Sequence, residues 1–247
     1  SIDTFAYLER LGLKREEPSL SYLKQIQRQH QMTVPLENLW IHFDKRTSWD
    51  ITKIFNRIIP GNQGGLGIEL NFLLYHLLNQ LGYSCFITSA KTYQSGEWGP
   101  AYDHLILIVE VEEKLWLVDV GFQERLYAPK ELLQSKLQMD FNRYIRFFTD
   151  PDETWFLKKS TDTTNFSNLY KFVPEECQSI EFLQTYNEIQ GTKDLSFDGT
   201  KYISKLFPEG RVTLTDQFID SSLEGTDEKI RILNEDDFLS KLDEYFD

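Results

Sequence analysis

Gln63-Gly64-Gly65-Leu66-Gly67-Ile68-Glu69-Leu70-Asn71 carries three glycines in four positions straight into the most strongly patterned helix of the chain. From there Leu70, Leu73, Leu74, Leu77, Leu78 and Leu81 form one apolar stripe, and Gly82 stands where a helix-ending glycine belongs. Glycines at the entry let the backbone turn sharply and let another group approach closely. The helix start offers free N–H groups and a partial positive charge, which suit an anion or a thiolate. The same residues also fit a plain helix-entry turn.

Toward the N-terminus the helical period continues. Ile2, Phe5, Leu8 and Leu11 precede Gly12, and Leu20, Leu23 and Ile26 run from Pro18 toward Pro35. Asp50 caps a third helix with Ile51, Ile54, Phe55 and Ile58 on one face and Pro60 at its end. Toward the C-terminus the period changes to two. Residues 85–90, 104–111, 115–120, 144–148, 154–157 and 168–172 read as strands of a mostly antiparallel sheet or barrel. Residues 202–207, 211–215 and 229–233 add strands, with Pro208-Glu209-Gly210 as a turn. Asn234 then caps a last helix expected to bury Phe238, Leu239, Leu242, Tyr245 and Phe246. Helices, then strands, then a mixed tail predict an α+β protein with segregated parts.

The 247 residues are enough for one to two domains, and 26 Lys+Arg against 39 Asp+Glu leave a net charge of −13. That balance argues against nucleic-acid and anionic-membrane partners. Aromatics at 14% exclude a disordered acidic chain. Two cysteines, Cys85 and Cys177, make no disulfide framework, and no apolar run reaches the 18 residues of a membrane span. Ser1-Ile2-Asp3-Thr4-Phe5 lacks the basic and apolar regions of a signal peptide, so a reducing cytoplasm is the expected setting. His30, His42, His76 and His104 show no metal-ligand spacing, and no phosphate-binding Gly-Lys-Ser/Thr loop is present; no metal site is expected.

A second feature is the hairpin running from His104 to Val111 and back from Leu115 to Phe122. With an even-length loop, His104 and Asp119 fall on one face, opposite or diagonal, among Ile106, Ile108, Leu115 and Leu117. A His and an Asp among aliphatics are costly unless paired, and a carboxylate that orients an imidazole is the arrangement of a catalytic base. A satisfied structural pair at a strand end fits equally.

Together these residues resemble the arylamine N-acetyltransferase family along most of the chain. Pro35-Leu36-Glu37-Asn38-Leu39 is similar to its Pro-Phe-Glu-Asn-Leu, and Gln63 to Asn71 to its Arg-Gly-Gly-x-Cys-x-Glu-x-Asn. Asp103-His104-Leu105 and Val118-Asp119-Val120-Gly121-Phe122 are similar to its Asp-His-Leu and Val-Asp-Val-Gly-Phe. Pro208-Glu209-Gly210-Arg211 resembles its C-terminal hairpin. The resemblance implies an N-terminal helical domain (1–83), a central antiparallel β-barrel (84–189) and a C-terminal α/β lid (190–247), in a cysteine-protease-like arrangement. It implies acetyl transfer from acetyl-CoA to an arylamine or arylhydrazine through a Cys-His-Asp triad and an acetyl-enzyme. No cofactor is held permanently; acetyl-CoA is a substrate or ligand.

Carried over by position, the base is His104, its orienting carboxylate is Asp119, and the nucleophile falls on Gly67. Glycine can neither attack nor carry an acetyl group. Cys85 lies roughly 25 Å away along the helix axis and cannot substitute. Losing the nucleophile of a comparable triad costs on the order of 10⁶ in turnover, about 8 kcal/mol of barrier. The family's arginine is Gln63, which removes a charge that would pair with Glu37. Gln123 replaces a glycine at the mouth where the amine would enter, and residues 190–196 depart from the family's pattern before the lid. The resemblance places Trp98, Gly99 and Ala101 beside CoA and Phe122 beside the aromatic acceptor, though Phe122 also reads as core. Glu69 and Asn71 read as helix-capping or site residues, and CoA would need local lysines such as Lys91 or Lys193.

Three functions follow as expectations. The first is a pseudoenzyme that keeps a pocket for CoA or an aromatic ligand. The second is direct acyl transfer through His104 and Asp119, or acyl-CoA hydrolysis with water in the space Gly67 leaves. The third is a regulatory or interaction protein that ignores the pocket, which a filled cleft at residues 98–102 would favour.

Overall fold

Asp3, Ser19 and Asp50 each stand just before an apolar-periodic run, and each side chain accepts an N–H from three residues ahead. The computed structural model describes residues 1–43, 46–191 and 200–246. Those caps open α1 (Thr4–Leu11), α2 (Leu20–Thr33) and, after β1 (Leu36–Glu37) and the short α3 (Leu39–His42), α4 (Ile51–Ile58). The glycine-rich entry leads into α5 (Gly67–Leu81), which Gly82 ends at φ +98°. Both flanks of α5 are buried: it packs on α1 and α4 and against the strands that follow.

Those strands are β2 (Ser84–Gln94), β3 (Glu97–Trp98), β4 (His104–Val111), β5 (Lys114–Val118), β6 (Lys130–Glu131), β7 (Gln138–Asp140), β8 (Arg143–Thr149), β9 (Trp155–Ser160) and β10 (Ser167–Phe172). They pair antiparallel in the order β6-β5-β4-β2-β10-β9-β8-β7, with β3 on β2. Ser135, just past β6, donates its N–H to the Phe147 carbonyl on β8 at 3.0 Å, so the two ends of the sheet meet in a nearly closed barrel. β4 is buried on both faces. Leu105, Leu107 and Val109 face the helices, whereas Ile106 and Ile108 face the barrel interior. His104 shares the parity of Ile106, so its ring enters the end of the barrel.

After a short 3-10 turn and α6 (Leu183–Gly191), a second sheet forms from β11 (Tyr202–Phe207), β12 (Gly210–Thr215), β13 (Phe218–Leu223) and β14 (Thr226–Arg231), covered by α7 (Glu235–Phe246). β1 joins its edge by pairing with β11. Asn234 caps α7 by accepting the Asp237 N–H. No described helix is long and apolar enough to cross a membrane.

Several expectations are corrected. Phe218–Leu223 is a strand that the period did not announce, because polar Asp220, Ser221 and Ser222 interrupt it. The next strand lies at Thr226–Arg231, not 229–233, because the Glu224-Gly225 turn sets the register from Leu223 opposite Thr226. In α7 only Phe238 is fully buried. Leu239, one residue further round the helix, is 46% exposed.

Candidate active site

The loop before α5 is clamped from three sides. The Gly64 N–H donates to the buried Glu37 carboxylate (2.6 Å), Arg57 donates to the Gly64 carbonyl (2.8 Å), and Arg10 donates to that of Gln63 (2.8 Å). Burial pushes the Glu37 carboxyl above its ordinary value, and the Gly64 N–H and the charges of Arg57 and Arg10 work against that. The charge that Gln63 lacks is therefore supplied from α1 and α4. Arg57 stacks over Trp40 and meets the fully buried Glu69 at 2.6 Å. Glu69 also accepts the Leu66 N–H and the Tyr186 hydroxyl, so its work is to cap α5.

Gly67 is the first residue of α5, and its surroundings admit no side chain. A Cβ there would lie inside van der Waals contact of the Gly121 carbonyl oxygen and 3.0 Å from the carbonyl carbon. A Cβ on Gly121 would in turn lie 2.6 Å from the Gly67 carbonyl carbon. The two backbones touch where a side chain on residue 67 would stand. The Gly121 carbonyl fills the Cβ direction, while Gly67 also borders the cavity at His104.

His104 and Asp119 meet as the hairpin geometry requires. The register sets Leu107 opposite Val118 and Ile108 opposite Leu117, which leaves Asp119 diagonal to His104, with His104 Nε2 at 2.7 Å from Asp119 Oδ2. Around the carboxylate, Asn71 Nδ2 (2.8 Å) and the Gly121 N–H (2.9 Å) donate to Oδ1, and the Tyr170 hydroxyl (3.1 Å) donates to Oδ2. Burial alone would raise Asp119. The facing His104 ring and these donors outweigh it and hold the carboxyl below its ordinary value. Tyr170 is held protonated, first by burial and then by the Asp119 charge. With Asp119 ionised, Nε2 is the ring nitrogen that donates to it, which leaves Nδ1 as the nitrogen that no described protein group engages. Asn71 is thus a site residue as well as a helix residue. Tyr170 had no signal in the sequence, since its hydroxyl crosses the barrel from β10.

His104 opens on a cavity of about 620 Å³ lined also by Gly67, Trp98, Gly99, Gly121, Phe122 and Gln123. This is within the range of small-molecule sites. Phe122 walls the cavity and packs edge-on against Tyr170 at 5.0 Å. Gly99 leaves room for Asp103, which accepts the Thr92 N–H (3.0 Å). Ala101 is not on this cavity but on a neighbouring one of about 480 Å³, with Tyr102, Lys91 and Lys171. Lys193 and residues 192–196 lie outside the described residues. Residues 98–100 border the open cavity at His104, whereas Ala101 and Tyr102 border the neighbouring one.

Neither cysteine is a replacement nucleophile. Burial pushes the Cys177 thiol up to about 12 and Cys85 higher still, and both are free. Among the described residues no His, Cys, Asp and Glu group is placed to hold a metal. The constellation offers a paired imidazole beside an aromatic-walled cavity, with glycine at residue 67.

The N-acetyltransferase family profile matches residues 19–247. The chain is similar to a pineal gland isozyme of arylamine N-acetyltransferase from Gallus gallus, 33% identical over 164 residues; the match covers 64% of this chain and little more than half (56%) of that protein. The fold is similar to that of arylamine N-acetyltransferase from Salmonella typhimurium (TM-score 0.90, 21% identity, 100% of this chain and 92% of that one). It is also similar to the Mycobacterium marinum enzyme solved in complex with CoA (TM-score 0.88, 20% identity, 99% and 92%).

Proposed function

The chain belongs to the arylamine N-acetyltransferase family, and on that premise we propose that it is a pseudoenzyme of the family, binding a CoA thioester or an aromatic amine beside His104 without forming an acetyl-enzyme. One observation carries the reading. Gly67 stands at the nucleophile position against the Gly121 backbone, while the His104–Asp119 pair and an open cavity remain. Retention of the pair with its Asn71 and Tyr170 donors fits a site still shaped for a ligand. The test is acetyl-CoA with an arylhydrazine, followed by intact-protein mass spectrometry and amide formation. The expected result is binding of CoA with neither adduct nor turnover. An acetylated protein would overturn the reading.

A second reading rests on Nδ1 of His104 facing no partner among the described residues. In it the amine nitrogen attacks the bound thioester carbonyl while Nδ1 takes its proton. The C–S bond then breaks, and the CoA thiolate leaves and is reprotonated by the imidazolium. Positioning supplies several kcal/mol to such a step. Sequential kinetics abolished by His104→Ala would establish this reading in place of the first.

A further inference from the structure

The charge balance argues against any polyanion on this protein as a whole, yet one face of the barrel is locally basic. Across β2, β10, β9 and β8 a single row of outward positions reads Lys91, Lys171, Phe156 and Phe148, each opposite the next. The adjoining row sets Lys158 opposite Arg146. Two like-charged cross-strand pairs thus lie side by side, each of which costs stability unless something neutralises it. Among the described residues nothing does. Among the described residues no carboxylate lies within ion-pair distance of any of the four, although 39 acidic residues were available. Glu175, Glu176 and Glu181 share the neighbouring cavity with Lys91 and Lys171, but Glu181 takes the Tyr102 hydroxyl and the Gln178 N–H instead.

The four cations interleave with rings. Lys171 Nζ lies 4.6 Å over Trp98 and 5.8 Å from Phe156; Lys158 spans Phe156 and Phe148; Arg146 spans Phe148 and Phe166. The stripe is also continuous with the site, because Trp98, under Lys171, is a wall of the cavity at His104. Four neighbouring strands span roughly 14 Å at 4.8 Å per strand, the reach of a nucleotide carrying two or three phosphate groups.

We infer that the Lys91, Lys171, Lys158 and Arg146 stripe holds the phosphorylated nucleotide end of a CoA-type thioester, whose uncharged arm passes Trp98 into the cavity. This rests on the reading of that cavity as a ligand site. The phosphates replace the missing carboxylates, and the adenine edge lies among rings already spaced by cations.

The experiment compares CoA with pantetheine, the same arm without the nucleotide, by calorimetric titration of the unaltered protein and of Lys91→Glu/Lys171→Glu. The expected result is that CoA binds at least about tenfold more tightly than pantetheine, and that this advantage falls with added salt. In the double variant the advantage is lost while pantetheine binding is unchanged. Equal affinities, or an advantage that survives both salt and charge reversal, overturns the stripe and leaves the cavity reading standing. Binding of neither compound overturns both. An oligothymidylate run beside them completes the set. If it binds through the stripe while the CoA advantage is indifferent to the variant, the face serves a polynucleotide and the inference is wrong.

Discussion

A cysteine at residue 67 would match the nucleophile of the family pattern, and the packing around that residue opposes it. A Cβ at residue 67 lies 3.0 Å from the Gly121 carbonyl carbon and closer still to its oxygen, where unstrained heavy atoms sit about 3.5–4.0 Å apart. Relief needs a backbone shift of roughly 1 Å in one of two elements, and both are held. Residue 67 begins α5, and the facing strap is pinned by the Val120 N–H on Asn71, the Gly121 N–H on Asp119 and the Val120 carbonyl on Arg125. Overpacking of this kind costs about 1–3 kcal/mol, which for a chain of this length lowers Tm by roughly 2–12 °C. Gly67→Ala and Gly67→Cys are both expected to melt lower by that amount in calorimetry. Gly67→Cys is expected to gain neither an acetyl adduct nor arylhydrazine acetylation. A Gly67→Ala protein that melts with the parent would refute the packing argument. Acetyl transfer by Gly67→Cys would show that the strap yields and that only the thiol was missing.

Two further expectations concern stability. His30 is fully buried with Nε2 at 2.7 Å from the Tyr7 hydroxyl, and burial, then Arg10 and Arg125, hold its pKa down at about 3 against 6.5 in an unfolded chain. The folded state refuses a proton that the unfolded state accepts. Stability from this group is therefore complete above about pH 6.5 and declines by up to ~1.4 kcal/mol per pH unit down to about pH 3. His30→Gln should flatten that part of a urea-denaturation profile, and an unchanged slope would sink the assignment. In the barrel, Lys130 meets Asp140 at 2.6 Å with both side chains buried, and Arg143 joins at 3.2 Å. Asp140→Ala should cost about 3–5 kcal/mol by stranding Lys130. Glu124→Ala, at the half-exposed end of the same network, should cost under about 1 kcal/mol; equal effects would contradict the burial argument.

What could be read from the sequence was whatever repeats or caps. Asp50 and Asn234 announce helices because capping is local, and the Leu70 to Leu81 stripe is long enough to leave no choice of period; the caps at Asp3 and Ser19 emerge only in the structure. β1, β3, β6 and β7, each two or three residues long, carry no period at all, and only pairing with distant strands defines them. In the site, parity within one hairpin was enough to bring His104 to Asp119. Tyr170, 51 residues from Asp119, and Arg57, which supplies the charge that Gln63 lacks, are set by how barrel and helices close. The contact of Gly67 with Gly121 was beyond a reading of spacing, because glycine leaves no side chain to pattern.

The pairing of β1 with β11 also bears on how the chain is made. Leu36 lies opposite Ser204, and Asn38 donates to the Thr200 carbonyl and accepts the Tyr202 N–H. During synthesis these groups wait, open to water, until more than 160 further residues have left the ribosome. The loop before α5, whose Gly65 carbonyl takes the Glu37 N–H, is tied to the same strand. Translation arrested before β11 therefore releases a chain whose helices and barrel strands can assemble, but whose loop before α5 has lost one of its anchors.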